Sequence, residues 1–275
     1  MNEVALLIAG RATAAENGRS FARLDPMNGS AVTSAAAASV ADVNAAAQAA
    51  ACAFSAWSAT GPGRRRELLL KSADALLARQ PEFVAAMIAE TGSTEAWAGF
   101  NVGFAASILR EAASATTHIS GEVIAIDVPD NLSMAIRQPI GVCAAIAPWN
   151  APVILGVRAV AMPLACGNTV VFKASENCPA VHRLIGAAFH DAGLPDGVLN
   201  VITNAPEDAA EIVGALIDHP GVRHINGPTV HDEPQMPFGG VKSSGYGRFG
   251  GDAAIYEFTT LRWITVQTGP RHYPF

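Results

Sequence analysis

Asn150 and Lys173 are residues of this chain whose types and places can act on a bound molecule. Asn150 follows the apolar run Val142 to Ala147 and precedes Pro152, at the carboxyl edge of a sheet where ligands bind, or where its amide can cap the next helix. Lys173 closes the run Asn168 to Phe172, where an ammonium at a buried strand end can reach a ribose or phosphate, or form a surface salt bridge. Arg158 interrupts the apolar stretch Val153 to Met162 and can meet an anionic ligand oxygen or an acidic side chain at the helix surface. Trp97, Phe100, Trp149 and Phe238 can line an aromatic wall or pack as core.

The thiols offer less. Cys52 falls in a helical stretch, Cys143 lies inside a strand-like run, and Cys166 and Cys178 flank the Lys173 run with no adjacent His in the sequence. The spacing contains no CxxC pair and no His at zinc-ligand distance, so reduced core thiols and no metal site are expected. No GxGxxG, P-loop, GxSxG or HExxH occurs. Gly239, Gly240, Gly245, Gly247 and Gly250 have no strand before them and no clear helix after them, which predicts a tight turn rather than a phosphate cradle.

These residues need a scaffold. With 275 residues, 50% hydrophobic and 15% charged, the chain can bury a substantial core. The net charge of -6 leaves no basic face for nucleic acid, and the trio Arg64-Arg65-Arg66 reads as a solvated first helical turn. The apolar run near Met1 is too short for a signal peptide, and later runs are broken by turn residues, so a cytoplasmic protein without membrane insertion is expected.

Helical spacing covers Val40 to Thr60, Gly63 to Glu90 with a break after Arg79 at Pro81, and Thr94 to His118. Glu122 to Asp127 and Ser133 to Arg137, joined by Pro129-Asp130-Asn131, read as a hairpin. Four strand runs follow, Val142 to Ala147, Asn168 to Phe172, Val198 to Ile202 and Val222 to Ile225, separated by helices at Pro152 to Leu164, Pro179 to Ala192 and Glu207 to Asp218. This alternation predicts an α/β, doubly wound parallel sheet with right-handed crossovers. Tyr256 to Gln267 reads as one or two terminal strands.

Four longer segments carry a resemblance. Ala147-Pro-Trp-Asn-Ala-Pro152, Met162 to Glu176, Ala192-Gly-Leu-Pro-Asp-Gly-Val-Leu-Asn-Val201 and Met236-Pro-Phe-Gly-Gly-Val-Lys-Ser-Ser-Gly-Tyr-Gly-Arg248 resemble, in order, segments of the NAD(P)-dependent aldehyde dehydrogenase family. Asn204 to Ala209, Pro228 to Asp232 and the ending His272-Tyr-Pro-Phe275 resemble its salicylaldehyde dehydrogenase branch. The resemblance implies an NAD cofactor, or NADP, held by Pro148, Trp149, Lys173, Ser175 and Glu176 on a Rossmann-like domain. It implies Asn150 as oxyanion donor, and a pocket of Trp97, Phe100, Arg158 and Phe238 for an aromatic aldehyde, with Arg158 toward a phenolate oxygen. It divides the chain into a nucleotide domain at 1–120 and 142–226, oligomerisation strands at 121–141 and 252–275, and a catalytic-domain remnant at 227–251. Homo- or hetero-oligomers are implied through those strands.

The departures matter as much. Within Gly221 to Gly240 a segment like the first half of the family meets one like its last few dozen residues. After Val222 to Ile225 the family's Phe-Thr-Gly-Ser, which opens a helix facing the pyrophosphate, is replaced by Asn226-Gly-Pro-Thr. The Glu-Leu-Gly-Gly, Gly-Gln-x-Cys and Glu-x-Phe-Gly-Pro segments, which carry general base, nucleophile and nicotinamide contact, are absent. An in-frame loss of roughly 200 residues accounts for the pattern, more than a typical small domain. The expectation is a chain inactive alone, or a nucleotide-binding fragment that pairs with a full-length subunit.

Overall fold

Apolar side chains two apart along each strand separate into two cores. Val142, Ala144 and Val171 pack with Val43, Ala46, Ala47 and Ala50 on one side, while Cys143, Ala145, Val170 and Phe172 face Val157, Val160 and Ile185 on the other. The computed structural model describes residues 1–127, 129–226, 235, 239 and 246–269. In chain order its elements are β1 (Asn2–Val4), β2 (Leu6–Ile8), β3 (Arg11–Thr13), β4 (Ser20–Leu24), β5 (Ala31–Ala36), α1 (Val40–Ser58), α2 (Pro62–Ala78), α3 (Gln80–Thr91), α4 (Glu95–Ala115), β6 (Glu122–Ile124) and β7 (Asn131–Pro139). There follow β8 (Val142–Ile146), α5 (Pro152–Ala165), β9 (Thr169–Lys173), α6 (Pro179–Asp191), β10 (Leu199–Ile202), a 3-10 turn (Pro206–Asp208), α7 (Ala209–Ile217), β11 (Val222–Asn226), α8 (Gly251–Glu257) and β12 (Thr259–Gln267).

The main sheet runs β11-β8-β9-β10-β2-β3, with β8 to β11 parallel and β2 and β3 antiparallel additions. The fold is therefore α/β with a doubly wound parallel sheet, as the alternation of runs predicts. Helices α5 and α6 cover one face, α1 and α7 the other, and α2, α3 and α4 form a further layer over α5 and α6. Every residue of α5 is buried, because it is covered by the sheet on one side and by α4 and α2 on the other. Strand order reverses between β8 and β11, and in open α/β sheets the region beyond the carboxyl ends of such strands is where ligands commonly bind.

Local signals explain the ends of these elements. Ser39 caps α1 reciprocally with Asp42, Thr94 accepts from the Trp97 amide at the start of α4, and Gly92 closes α3 in the left-handed region at φ 68. Arg65 corrects the reading of a solvated arginine trio. It is buried, and its guanidinium donates to Ala165 O at 3.0 Å, filling a carbonyl left open at the end of α5, and to Thr60 O. Arg64 and Arg66 remain exposed.

The expected hairpin forms as β6 and β7, and β12 adds to it with a nine-residue antiparallel register from Thr259 opposite Pro139 to Gln267 opposite Asn131. Asn168 ties this small sheet to the core. Its Oδ1 accepts from Ile140 N and Gly141 N, and its Nδ2 donates to Pro163 O and Phe258 O. Two features go beyond the sequence reading. Residues 2–36 supply five strands, three of them forming the separate sheet β1-β5-β4. Tyr256 and Glu257 close the helix α8 rather than opening a strand, and that helix follows the glycine-rich segment where none was expected. Gly247 turns there at φ 73, and a Cβ on it would lie 2.6 Å from the Glu257 carboxyl carbon.

Candidate functional site

Strands β8 and β9 are neighbours, with Ile146 paired to Lys173, so the loops that follow them emerge side by side at the carboxyl edge of the sheet. The first loop carries half-buried Pro148, Trp149 at 50% exposure and exposed Asn150. The cap of α5 is Ala151, with no side-chain bond, and Asn150 has no hydrogen-bond partner among the described residues. Among the described residues its side chain makes no capping bond to α5.

In the second loop Lys173 is buried and its Nζ lies 2.9 Å from Glu176 Oε2. Burial pushes the Glu176 carboxyl up, yet its own backbone N–H and the Lys173 ammonium outweigh this and hold it below the usual carboxylate range. An ammonium and a partly exposed carboxylate side by side fit the hydroxyls of a ribose, one donating and one accepting. The ion pair is real, but Lys173 is too deeply buried for an ordinary surface salt bridge. Ser175 is buried and structural in its contacts: its N–H donates to His182 Nδ1 at 2.9 Å and its Oγ accepts from Asn177 N at 3.2 Å.

Arg158 is buried in the middle of α5, so its setting is interior rather than the solvent-facing surface of the helix. Trp97 and Phe100, at 41% and 54% exposure, are surface residues of α4, stacked at 5.6 Å, with Phe100 in turn stacked on Phe104 at 5.7 Å. Neither is core. Phe238, like Gly240 and Gly245, lies outside the described residues.

One neighbour was missed. Cys178 does have an adjacent histidine: its Sγ lies 3.7 Å from His182 Nε2, four residues along the start of α6. The i, i+4 spacing was the available signal. The contact does not activate the thiol, because burial pushes Cys178 well above its ordinary value and the nearby Glu90 carboxylate adds to this. Burial likewise raises Cys143, and Cys166 to about 12 despite the guanidiniums of Arg65 and Arg137. Cys52 is exposed, contrary to a core thiol, but sits on α1 two residues past Ala50, whose carbonyl accepts from Thr169 Oγ1 at 2.9 Å. Thr169 begins β9 whereas Asn150 follows the carboxyl end of β8, so Cys52 lies toward the opposite edge of the sheet from Asn150. Among the described residues no His, Cys, Asp and Glu cluster could hold a metal ion, and no helix is long and apolar enough to cross a membrane.

The profile of the Aldehyde dehydrogenase family matches residues 13–226 and again 221–264. The chain belongs to the aldehyde dehydrogenase family. The two matches overlap at 221–226, the segment where the sequence joins two distant parts of the family pattern. Vanillin dehydrogenase of Pseudomonas fluorescens is 36% identical over an alignment of 482 residues that spans both proteins fully. Since this chain has 275 residues, about 200 positions of that relative have no counterpart in it. Salicylaldehyde dehydrogenase of Pseudomonas putida is 48% identical over 208 residues, which cover 76% of this chain and 43% of that protein. The chain thus matches less than half the length of that relative. Among solved structures, a salicylaldehyde dehydrogenase from Pseudomonas putida G7 complexed with salicylaldehyde superposes with a TM-score of 0.94 at 26% identity, over all of both chains.

Proposed function

We propose that this aldehyde dehydrogenase family member is a cytoplasmic protein that retains the adenosine half of an NAD site and does not oxidise aldehydes by itself. Its ancestral substrate class is the aromatic aldehyde, salicylaldehyde in particular, in keeping with its salicylaldehyde and vanillin dehydrogenase relatives. The observation that carries this reading is the state of the thiols. Three are buried with their pKa raised, and the fourth is on the far edge of the sheet from Asn150.

In this reading residues 1–120 and 142–226 are the nucleotide domain, with Lys173 and Glu176 toward the ribose and Pro148 and Trp149 beside them. NAD, when bound, is the hydride acceptor. The carboxylate of Glu176 favours a free ribose hydroxyl over a phosphate, hence NAD over NADP. Asn150 is the surviving oxyanion donor, with Trp97, Phe100, Arg158 and Phe238 the remains of the aldehyde pocket.

Calorimetry with NAD, NADP and AMP tests the cofactor half. The expected Kd for NAD is about millimolar, roughly -4 kcal/mol, with AMP within a few-fold of NAD. Micromolar NAD affinity far above that of AMP would mean that a nicotinamide site survives, and would overturn the reading.

A second reading, a fragment that pairs with a full-length subunit, is favoured by the apolar side chains of the small sheet, with Val123 at 75% and Trp263 at 72% exposure. Residues 121–141 and 252–275 are the strands it would use, and 227–251 the catalytic-domain remnant. Light scattering on mixtures with a full-length relative decides it by the presence or absence of a mixed mass.

A further inference from the structure

The ring of His182 spans the two loops of the candidate nucleotide cleft. Its Nδ1 faces the Ser175 amide at 2.9 Å, and its Nε2 faces the Pro152 carbonyl at 3.1 Å. An amide N–H can only donate and a carbonyl can only accept, so Nδ1 must be bare and Nε2 must carry the proton. Ser175 belongs to the loop of Lys173 and Glu176; Pro152 ends the loop of Pro148, Trp149 and Asn150. The strands beneath stop at paired residues, Ile146 and Lys173, and above that point the imidazole bridges the two loops.

The surroundings hold the ring in one pose. Phe172 lies 5.0 Å away, centroid to centroid, tilted at 49°. Gly156 has no Cβ because one there would come within 2.5 Å of Ile185 Cδ1 and 3.4 Å of His182 Cδ2. Cys178 Sγ sits 3.9 Å from Nδ1 and 3.7 Å from Nε2. Buried ring nitrogens need partners in any role; what sets this pair apart is that the two partners lie on different loops.

We infer that His182 is a positioning residue of the nucleotide cleft, fixing the spacing between the Asn150 loop and the Lys173–Glu176 loop through its paired hydrogen bonds. This rests on the nucleotide reading above, and it adds a residue that would touch no ligand itself. Ribose recognition by a buried ammonium and a carboxylate depends on that spacing, since misplacement by an ångström sharply weakens such contacts.

The test uses three proteins: wild type, His182→Asn and His182→Leu. Asn places an oxygen where Nδ1 stands and keeps the acceptor for Ser175; Leu fills similar volume and keeps neither bond. AMP affinity, thermal midpoint and amide exchange at Ser175 are measured on each. The expected result is at least a tenfold loss of AMP affinity in both variants, since each breaks the bridge, with fast Ser175 exchange in the Leu variant and Ser175 protection kept in the Asn variant. Equal AMP affinity in all three, with only the thermal midpoint moved, overturns the inference and leaves His182 as packing. If Leu does not fold, His182→Gln replaces it, reaching Pro152 O but not Ser175 N. If wild type fails to bind AMP, the nucleotide reading fails, and the bridge is judged on exchange alone: uniform Ser175 protection in all variants overturns it.

Discussion

Two buried ionisable groups meet at the start of α6, Glu90 reaching it from α3 and His182 standing on α6 itself, and they respond to acid with opposite sign. Glu90 accepts from Ala180 N and Val181 N at the first turn of α6, yet burial outweighs these bonds and raises its carboxyl above the ordinary 4.5. With the folded pKa raised, its contribution is fully present below about 4.5 and is lost as pH rises through the folded value. His182 is the reverse. Burial lowers it from 6.5 to about 3, with Lys173 lowering it further, and Pro152 and Glu176 acting against this. Its contribution is present above about 6.5 and is lost as pH falls toward 3. Between pH 7 and pH 4 this amounts to about 3 kcal/mol of stability, on the order of 1.4 kcal/mol per pH unit below 6.5. Urea unfolding at both pH values should show the loss in wild type and a smaller one in His182→Asn; an unchanged difference would contradict it. At the ligand edge, Glu176→Gln should weaken NAD and AMP binding about tenfold and narrow the preference over NADP, read by calorimetry.

Between elements, close approach sets the cost of change. Gly156 lets α5 approach α6, and Gly156→Val should lower stability by about 1–3 kcal/mol through forced displacement of Ile185. Asn168→Ala should cost more, about 2–4 kcal/mol, because it removes the acceptor of Ile140 N and Gly141 N. Thermal midpoints rank the two, and limited proteolysis should cut the Asn168 variant first near β12.

The same residues explain what the sequence revealed. Val142 to Ile146 and Thr169 to Lys173 were legible because continuous apolar runs mark strands buried on both faces. Strands β1 to β5 were not, because Asn2–Val4 and Leu6–Ile8 are too short for periodicity and join different sheets across one residue. Helix α8 was hidden by its Gly250-Gly251 opening. Glu176 beside Lys173 was named only through the family resemblance; the pairing of Cys178 with His182 follows from their i, i+4 spacing on α6, whereas that of His182 with Pro152 exists only once α5 and α6 pack together. Burial of Arg65 is tertiary too, arising from the end of α5 rather than from its own charged run.

At the scale of the molecule, the parallel α/β sheet is present while about 200 positions of the full-length vanillin dehydrogenase relative have no counterpart. Apolar groups on β6, β12 and α8, among them Val123, Leu261, Trp263 and Tyr256, stay exposed. Sedimentation should show association that rises with concentration and weakens in Leu261→Lys; a monomer throughout would contradict an interface on this sheet. The central claim concerns chemistry: in the proposed reading a family scaffold and Asn150 do not oxidise an aldehyde without a thiolate placed against them. Formation of NADH from salicylaldehyde under excess NAD tests it most directly. No rate above the protein-free control is predicted; turnover by the purified chain, abolished by replacing a single cysteine, would contradict it.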